Sequence, residues 1–147
     1  MIDRSWIGHK LPPSLLSLER GRLAFFAKSI GETDAIYFDV DAARNAGHPD
    51  LPVPPTFLFA AELDSNAQRA FLEKAGVDFS RVLHGEQGFT YHAMLYAGDE
   101  VTVASTITDI YDKKGGALEF VIRTAKVSNR AGDHVADLRT VLVVRNG

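Results

Sequence analysis

The 147-residue chain has no cysteine. That excludes disulfides, thiolate zinc sites and cysteine nucleophiles together, and it is compatible with a reducing compartment. A basic excess is also missing: the formal net charge is -3 and the pI about 5.9. Lys and Arg are interspersed with acids, as in Asp109-Ile110-Tyr111-Asp112-Lys113-Lys114. Such a surface is solvated and mixed, unlike the basic stripe of a nucleic-acid binder. No apolar run is long enough to span a bilayer, and Met1-Ile2-Asp3-Arg4-Ser5-Trp6 lacks the apolar core of a signal peptide. Repeats and low-complexity linkers are absent too. The expectation is a cytoplasmic protein of one domain over residues 1–147, with no membrane or nucleic-acid partner.

Of the residues present, 46% are hydrophobic and 24% charged, enough apolar surface for one sizeable core. The chain divides into a helical first part and a strand-rich second part. Leu23, Phe26, Ala27 and Ile30 recur at helical spacing, predicting a helix from about Leu18 to Ile30 that Gly31 ends. Leu11-Pro12-Pro13-Ser14-Leu15-Leu16 is extended ahead of it, because proline restricts itself and its predecessor. Asp41 to Ala46 reads as a short helix closed by Gly47. Leu51-Pro52-Val53-Pro54-Pro55 is rigid, and Pro55 suits a first helical position. A helix is predicted from there through Phe57, Ala60, Ala61, Asp64 and Gln68 to Leu72, ending at Ala75-Gly76. Its first turns are apolar nearly all round, which predicts burial.

After Ser80 the period becomes two. Strands are predicted at about Arg81–His92, Glu100–Tyr111, Ala117–Asn129 and Val135–Arg145. In the last, Ala136, Leu138, Leu142 and Val144 share one face, interrupted only by Thr140. Ala97-Gly98-Asp99, Lys114-Gly115-Gly116 and Asn129-Arg130-Ala131-Gly132-Asp133 supply the turns. Consecutive strands on short turns make an antiparallel sheet, and an apolar helix against it makes a two-layer α+β domain.

Several segments resemble, in the same order, the MaoC-like dehydratase family of N-terminal (FAS1-like dehydratase) type. They are Ser5-Trp6-Ile7-Gly8, Glu19-Arg20-Gly21-Arg22-Leu23-Ala24-Phe25-Phe26-Ala27, Gly31-Glu32-Thr33-Asp34-Ala35-Ile36-Tyr37, Asp50-Leu51-Pro52-Val53-Pro54-Pro55-Thr56-Phe57, His84-Gly85-Glu86-Gln87 and Ala97-Gly98-Asp99. The resemblance implies a hot-dog fold, a long central helix wrapped by a curved antiparallel sheet. It implies hydration of trans-2-enoyl thioesters or dehydration of (R)-3-hydroxyacyl thioesters on CoA or acyl carrier protein. The units work in pairs, as a homodimer or with a second hot-dog chain, and no metal or organic cofactor is implied.

That chemistry needs a general acid/base pair and a donor to the enolate-like oxygen, often a backbone N–H at a helix start. Catalytic members carry Gly-Asp-x-Asn-Pro-aliphatic-His. Here Glu32 stands at the aspartate position and Tyr37 at the histidine position. A tyrosine titrates near ~10 against ~6.5 for histidine, so Tyr37 is a poor base. The family's His-Gly pair entering the helix falls near Pro54 and Pro55, and proline has no N–H; Thr56 or Phe57 is the remaining donor. Both departures point to an acyl-thioester-binding half without catalysis, with Tyr37, Pro55, Thr56, Phe57, His84 and Glu86 at the substrate.

Other readings stay open. Period two puts His84 and Glu86 on one side of a strand, lining an acyl channel or dimer seam or, the favoured reading, in a structural hydrogen-bond network. His48 and Glu62 match weakly a related dehydratase pairing of a histidine before a Pro-rich turn with a helical glutamate. A homodimeric enzyme would use Glu32, or His48 with Glu62; a thioesterase would use Glu62; a pure acyl-CoA binder would use none. His9, His92 and His134 read as polar surface residues, without metal-site spacing.

Overall fold

The computed structural model describes residues 1–146. Five antiparallel strands, β1 (Ser14–Ser17), β2 (Val82–Tyr91), β3 (Glu100–Lys113), β4 (Leu118–Asn129) and β5 (His134–Arg145), form one curled sheet in the order β1-β3-β4-β5-β2. The helices α1 (Arg20–Ser29), α2 (Val40–Asn45), α3 (Phe59–Asp64) and α4 (Ala67–Lys74) precede all but the first strand. This is the hot-dog arrangement. The Pro-rich extended segment leads into β1, which pairs Leu15 with Thr102 and Leu16 with Val101 on β3.

One element differs from expectation. The single helix from Pro55 to Leu72 is two helices. Residues 55–58 form a tight turn, with the Phe57 N–H on the Pro54 carbonyl at 2.9 Å. The helix then breaks at Ser65-Asn66, where Asn66 has φ 51°. Ser65 Oγ donates to the Glu62 carbonyl at 3.1 Å and accepts the Ala67 N–H at 3.3 Å. Short polar side chains compete with helical hydrogen bonds in this way, and Asn tolerates the left-handed region better than most residues. Apolar periodicity runs through the break, so it conceals it.

The break sends the two helices to two parts of the core. Phe57, Leu58 and Ala61 pack with Leu16, Leu18, Leu23, Val101, Val103, Ala125, Val127 and Leu138. Phe71 and Leu72 on α4 pack with Ile2, Leu11, Ile107, Ile110, Val121, Leu142 and Val144. Along β4 the change comes between Val121 and Ala125, and along β5 between Leu142 and Leu138. The residues at the two changeovers are Arg123 and Thr140, which pair across the strands.

Candidate functional site

The apolar faces of β4 and β5 thus carry a polar row where the two core clusters meet. Arg123 on β4 is opposite Thr140 on β5, and Thr140 is opposite Gln87 on β2. Above the row lies Glu62 of α3. Its Oε2 is 2.8 Å from an Arg123 terminal nitrogen, and the two side chains are 3% and 2% exposed. Thr140 Oγ1 donates to the same carboxylate oxygen at 3.0 Å and lies 2.8 Å from the Gln87 amide. One hydroxyl proton serves one acceptor, so the Gln87 amide is best oriented with its nitrogen toward Thr140. Burial pulls the Arg123 guanidinium down from its ordinary value, and Glu62 pulls it back up. Guanidinium stays protonated, so this is a buried ion pair. Among the described residues, Glu62 Oε1 and Arg123 Nε have no hydrogen-bond partner.

The row reaches the surface through His84. Its Nε2 is 3.2 Å from the Gln87 amide, and its ring stacks on Phe59 at 5.0 Å and 17°. The expectation that His84 and Glu86 share a side is corrected. A β-bulge between them pairs His84 with Leu142 and Glu86 with Val141, which shifts the alternation by one residue. Glu86 therefore turns outward to Arg139, 2.8 Å away. The bulge residue is Gly85, where a Cβ would meet Val143 Cγ2 at 2.9 Å and the Val141 carbonyl at 3.2 Å.

At the start of the helical segment, Pro55 and Thr56 are exposed and Phe57 is buried. Phe57 packs edge-on against Phe26 at 5.3 Å, with the Arg22 guanidinium 5.5 Å from its ring centre. The Phe57 N–H is already spent on Pro54, so of the two expected donors Thr56 is the one that remains. The Pro55 carbonyl accepts from the Tyr91 hydroxyl, and burial pushes the Tyr91 phenol up to about 12. His48 faces Tyr96, with Nδ1 3.5 Å from its hydroxyl, while Glu62 is held by Arg123 and Thr140. The fold gives His48 and Glu62 separate partners.

The Gly31–Tyr37 segment is a cap on the end of α1. Gly31 has φ 79°, and the Glu32 N–H returns to the Ala27 carbonyl at 2.9 Å. The Glu32 carboxylate then accepts the N–H groups of Thr33 at 2.8 Å and Asp34 at 3.0 Å. Tyr37 is half-buried nearby. Burial pushes its phenol up from the ordinary value, and the Glu32 and Asp34 carboxylates push it further.

Arg123 was invisible as a candidate in the sequence. Its signal is a charge on the apolar face Val121-Arg123-Ala125-Val127, in register with Thr140, the polar interruption of β5. His92 and His134 are exposed, as expected, yet they meet. Both place Nε2 on the Asp137 carboxylate, at 2.7 and 2.8 Å. Linear spacing does not show this, because β2 and β5 bring the two histidines together from distant positions.

Residues 5–138 match the family model of the FAS1-like dehydratase domain region. A UPF0336 protein of Leifsonia xyli is 41% identical over 134 residues, covering 91% of this chain and 87% of its own. One from Streptomyces coelicolor is 36% identical over 145 residues, covering 98% and 95%. Among solved structures, the HadBC (3R-hydroxyacyl-ACP dehydratase) complex of Mycobacterium tuberculosis superposes with a TM-score of 0.80 at 23% identity, over 94% of this chain and 96% of that one. The M. tuberculosis ChsH1–ChsH2 complex gives 0.68 at 24%, over 95% and 98%. The chain belongs to the FAS1-like dehydratase family and has the hot-dog fold of the MaoC-like dehydratases.

Proposed function

We propose that this chain is the acyl-thioester-binding, non-catalytic half of a paired (R)-specific enoyl-CoA hydratase or 3-hydroxyacyl-thioester dehydratase. One observation carries the reading: at the family's aspartate position, one oxygen of the Glu32 carboxylate accepts both the Thr33 and the Asp34 N–H groups of its own loop. A general acid or base needs a free, poised group within reach of substrate. Tyr37, at the histidine position, is shifted away from neutral pH rather than toward it. The segment uses its carboxylate to hold its own loop.

The rest of the site supports binding. Thr56 offers a backbone N–H at the helix start, beside the buried Phe57 and the partly buried Phe26 packed edge-on against it. His84 and Gln87 connect the surface to the buried Arg123–Glu62 pair. The thioester is carried on CoA or acyl carrier protein. The chain forms one hot-dog unit, and strand β2 has β5 as its only strand neighbour among the described residues, leaving an edge ten residues long. Exposed edges of that length are normally covered. A second hot-dog chain bearing an intact acid/base pair is the proposed cover, and the names of the HadBC and ChsH1–ChsH2 complexes show that related folds assemble from two chains.

Purification from the native host tests this. The expected result is a stable complex with a second hot-dog chain, active on crotonyl-CoA only when both are present. A self-sufficient homodimer that hydrates crotonyl-CoA would sink the proposal.

A further inference from the structure

We infer that His92, His134 and Asp137 form a binding site for a divalent transition-metal ion, with zinc the best match. The three residues come from just beyond the end of β2 and from the start of β5, and their ligand atoms all lie within 4.8 Å of one another. The backbone fixes this meeting, since the His92 N–H donates to the Val135 carbonyl at 2.9 Å. Both Nε2 atoms point at one carboxylate, at 2.7 and 2.8 Å, and the two imidazoles sit 4.5 Å apart, centre to centre, at 56°.

Zinc bonds to imidazole nitrogen and carboxylate oxygen at ~2.0–2.2 Å, so tetrahedral ligand atoms stand ~3.3 Å apart. The hydrogen-bonded cluster therefore has to open by roughly half an ångström to admit an ion. Exposed side chains do this by small rotations: His92 and His134 are 40% and 38% exposed and Asp137 47%. Two imidazoles with one carboxylate select zinc, nickel or cobalt over magnesium or calcium, which take oxygen ligands. A tetrahedral ion held by these three ligands keeps one further position, for water. Lys126 lies opposite Asp137 on β4, a nearby positive charge that keeps the affinity moderate.

The site is on the side of β5 away from the helices. Asp137 alternates with Ala136 and Leu138, which are buried in the core. It is thus separate from the row of Gln87, Thr140 and Arg123. An ion there would clamp the exposed end of β2 to β5, fixing the edge strand where it turns away.

The test uses the tag-free full chain, stripped with chelator and titrated with Zn²⁺ by calorimetry and with Co²⁺ by visible absorption. The expected result is one ion per chain with a micromolar dissociation constant and a rise in Tm at saturating zinc. His92→Ala, His134→Ala and the near-isosteric Asp137→Asn should each weaken binding ~10-fold or more, since even outer-shell partners carry 10–100-fold. His84→Ala, which removes an imidazole elsewhere, should leave the affinity unchanged. Absence of binding, or affinity preserved in Asp137→Asn and His92→Ala, would overturn the assignment.

Discussion

Replacing Arg123 with methionine is expected to be among the most damaging single substitutions in this protein. Methionine matches the aliphatic stem, so packing is largely kept, but the Glu62 carboxylate is stranded. Its side chain is 2% exposed, and its one remaining donor is the Thr140 hydroxyl at 3.0 Å. Breaking a buried pair by removing one partner costs about 3–5 kcal/mol, because the other charge stays desolvated. For a chain of this length that lowers Tm by roughly 6–20 °C. Replacing Glu62 with methionine strands the guanidinium in the same way. The double substitution removes both charges and fills the row with apolar groups, and it should lie close to the parent in stability. Urea unfolding of the four proteins, at one concentration because self-association moves the midpoint, gives the cycle. The coupling should stand far above the ~0.5 kcal/mol scatter of independent sites. A single substitution costing under about 1 kcal/mol, in the range of surface changes, or additive losses in the double, would refute the reading of this pair as charged and desolvated.

Gly85→Ala places a Cβ 2.9 Å from Val143 Cγ2 and 3.2 Å from the Val141 carbonyl, so it should cost about 1–3 kcal/mol, read as a lower urea midpoint. Tyr91→Phe removes the donor to the Pro55 carbonyl and should cost about 0.5–1.5 kcal/mol. The folded phenol of Tyr91 is raised to about 12, so its contribution is complete below its ordinary value near 10 and fades as pH rises toward 12; the parent should lose more stability over that window than Tyr91→Phe. Asp50 is held down to about 2, first by the Arg20 hydrogen bond and then by the Leu51 N–H. Its contribution is present above 3.8 and lost as pH falls toward 2, so Arg20→Ala should flatten that part of the acid unfolding curve, with an effect that salt reduces.

Much of the fold is legible in the sequence because burial on one face imposes a period. The β5 face of Ala136, Leu138, Leu142 and Val144 is buried as read, and Gly47 with φ 93° ends α2 as read. The helix break at Ser65-Asn66 is harder to see, because Phe57 through Leu72 stays apolar on schedule while direction changes. The lone glycine of His84-Gly85-Glu86 does signal a bulge, and taking it as one puts Glu86 on the outer face. The candidate site is less legible than the fold. Arg123 and Thr140 interrupt two apolar faces, but only strand register shows that they interrupt at the same level. The meeting of His92 with His134 depends on register in the same way. Glu32 could be placed by resemblance to the family; that its carboxylate is occupied by its own loop depends on local geometry.

The most direct test of the account is hydration of crotonyl-CoA by the purified chain alone, followed at the enoyl-thioester absorbance, together with acyl-CoA binding by calorimetry. The account predicts binding without turnover, because Glu32 is committed to the Thr33 and Asp34 N–H groups and Tyr37 is a poor base. Turnover by the isolated chain that disappears in Glu32→Ala would contradict it and make the chain an enzyme in its own right.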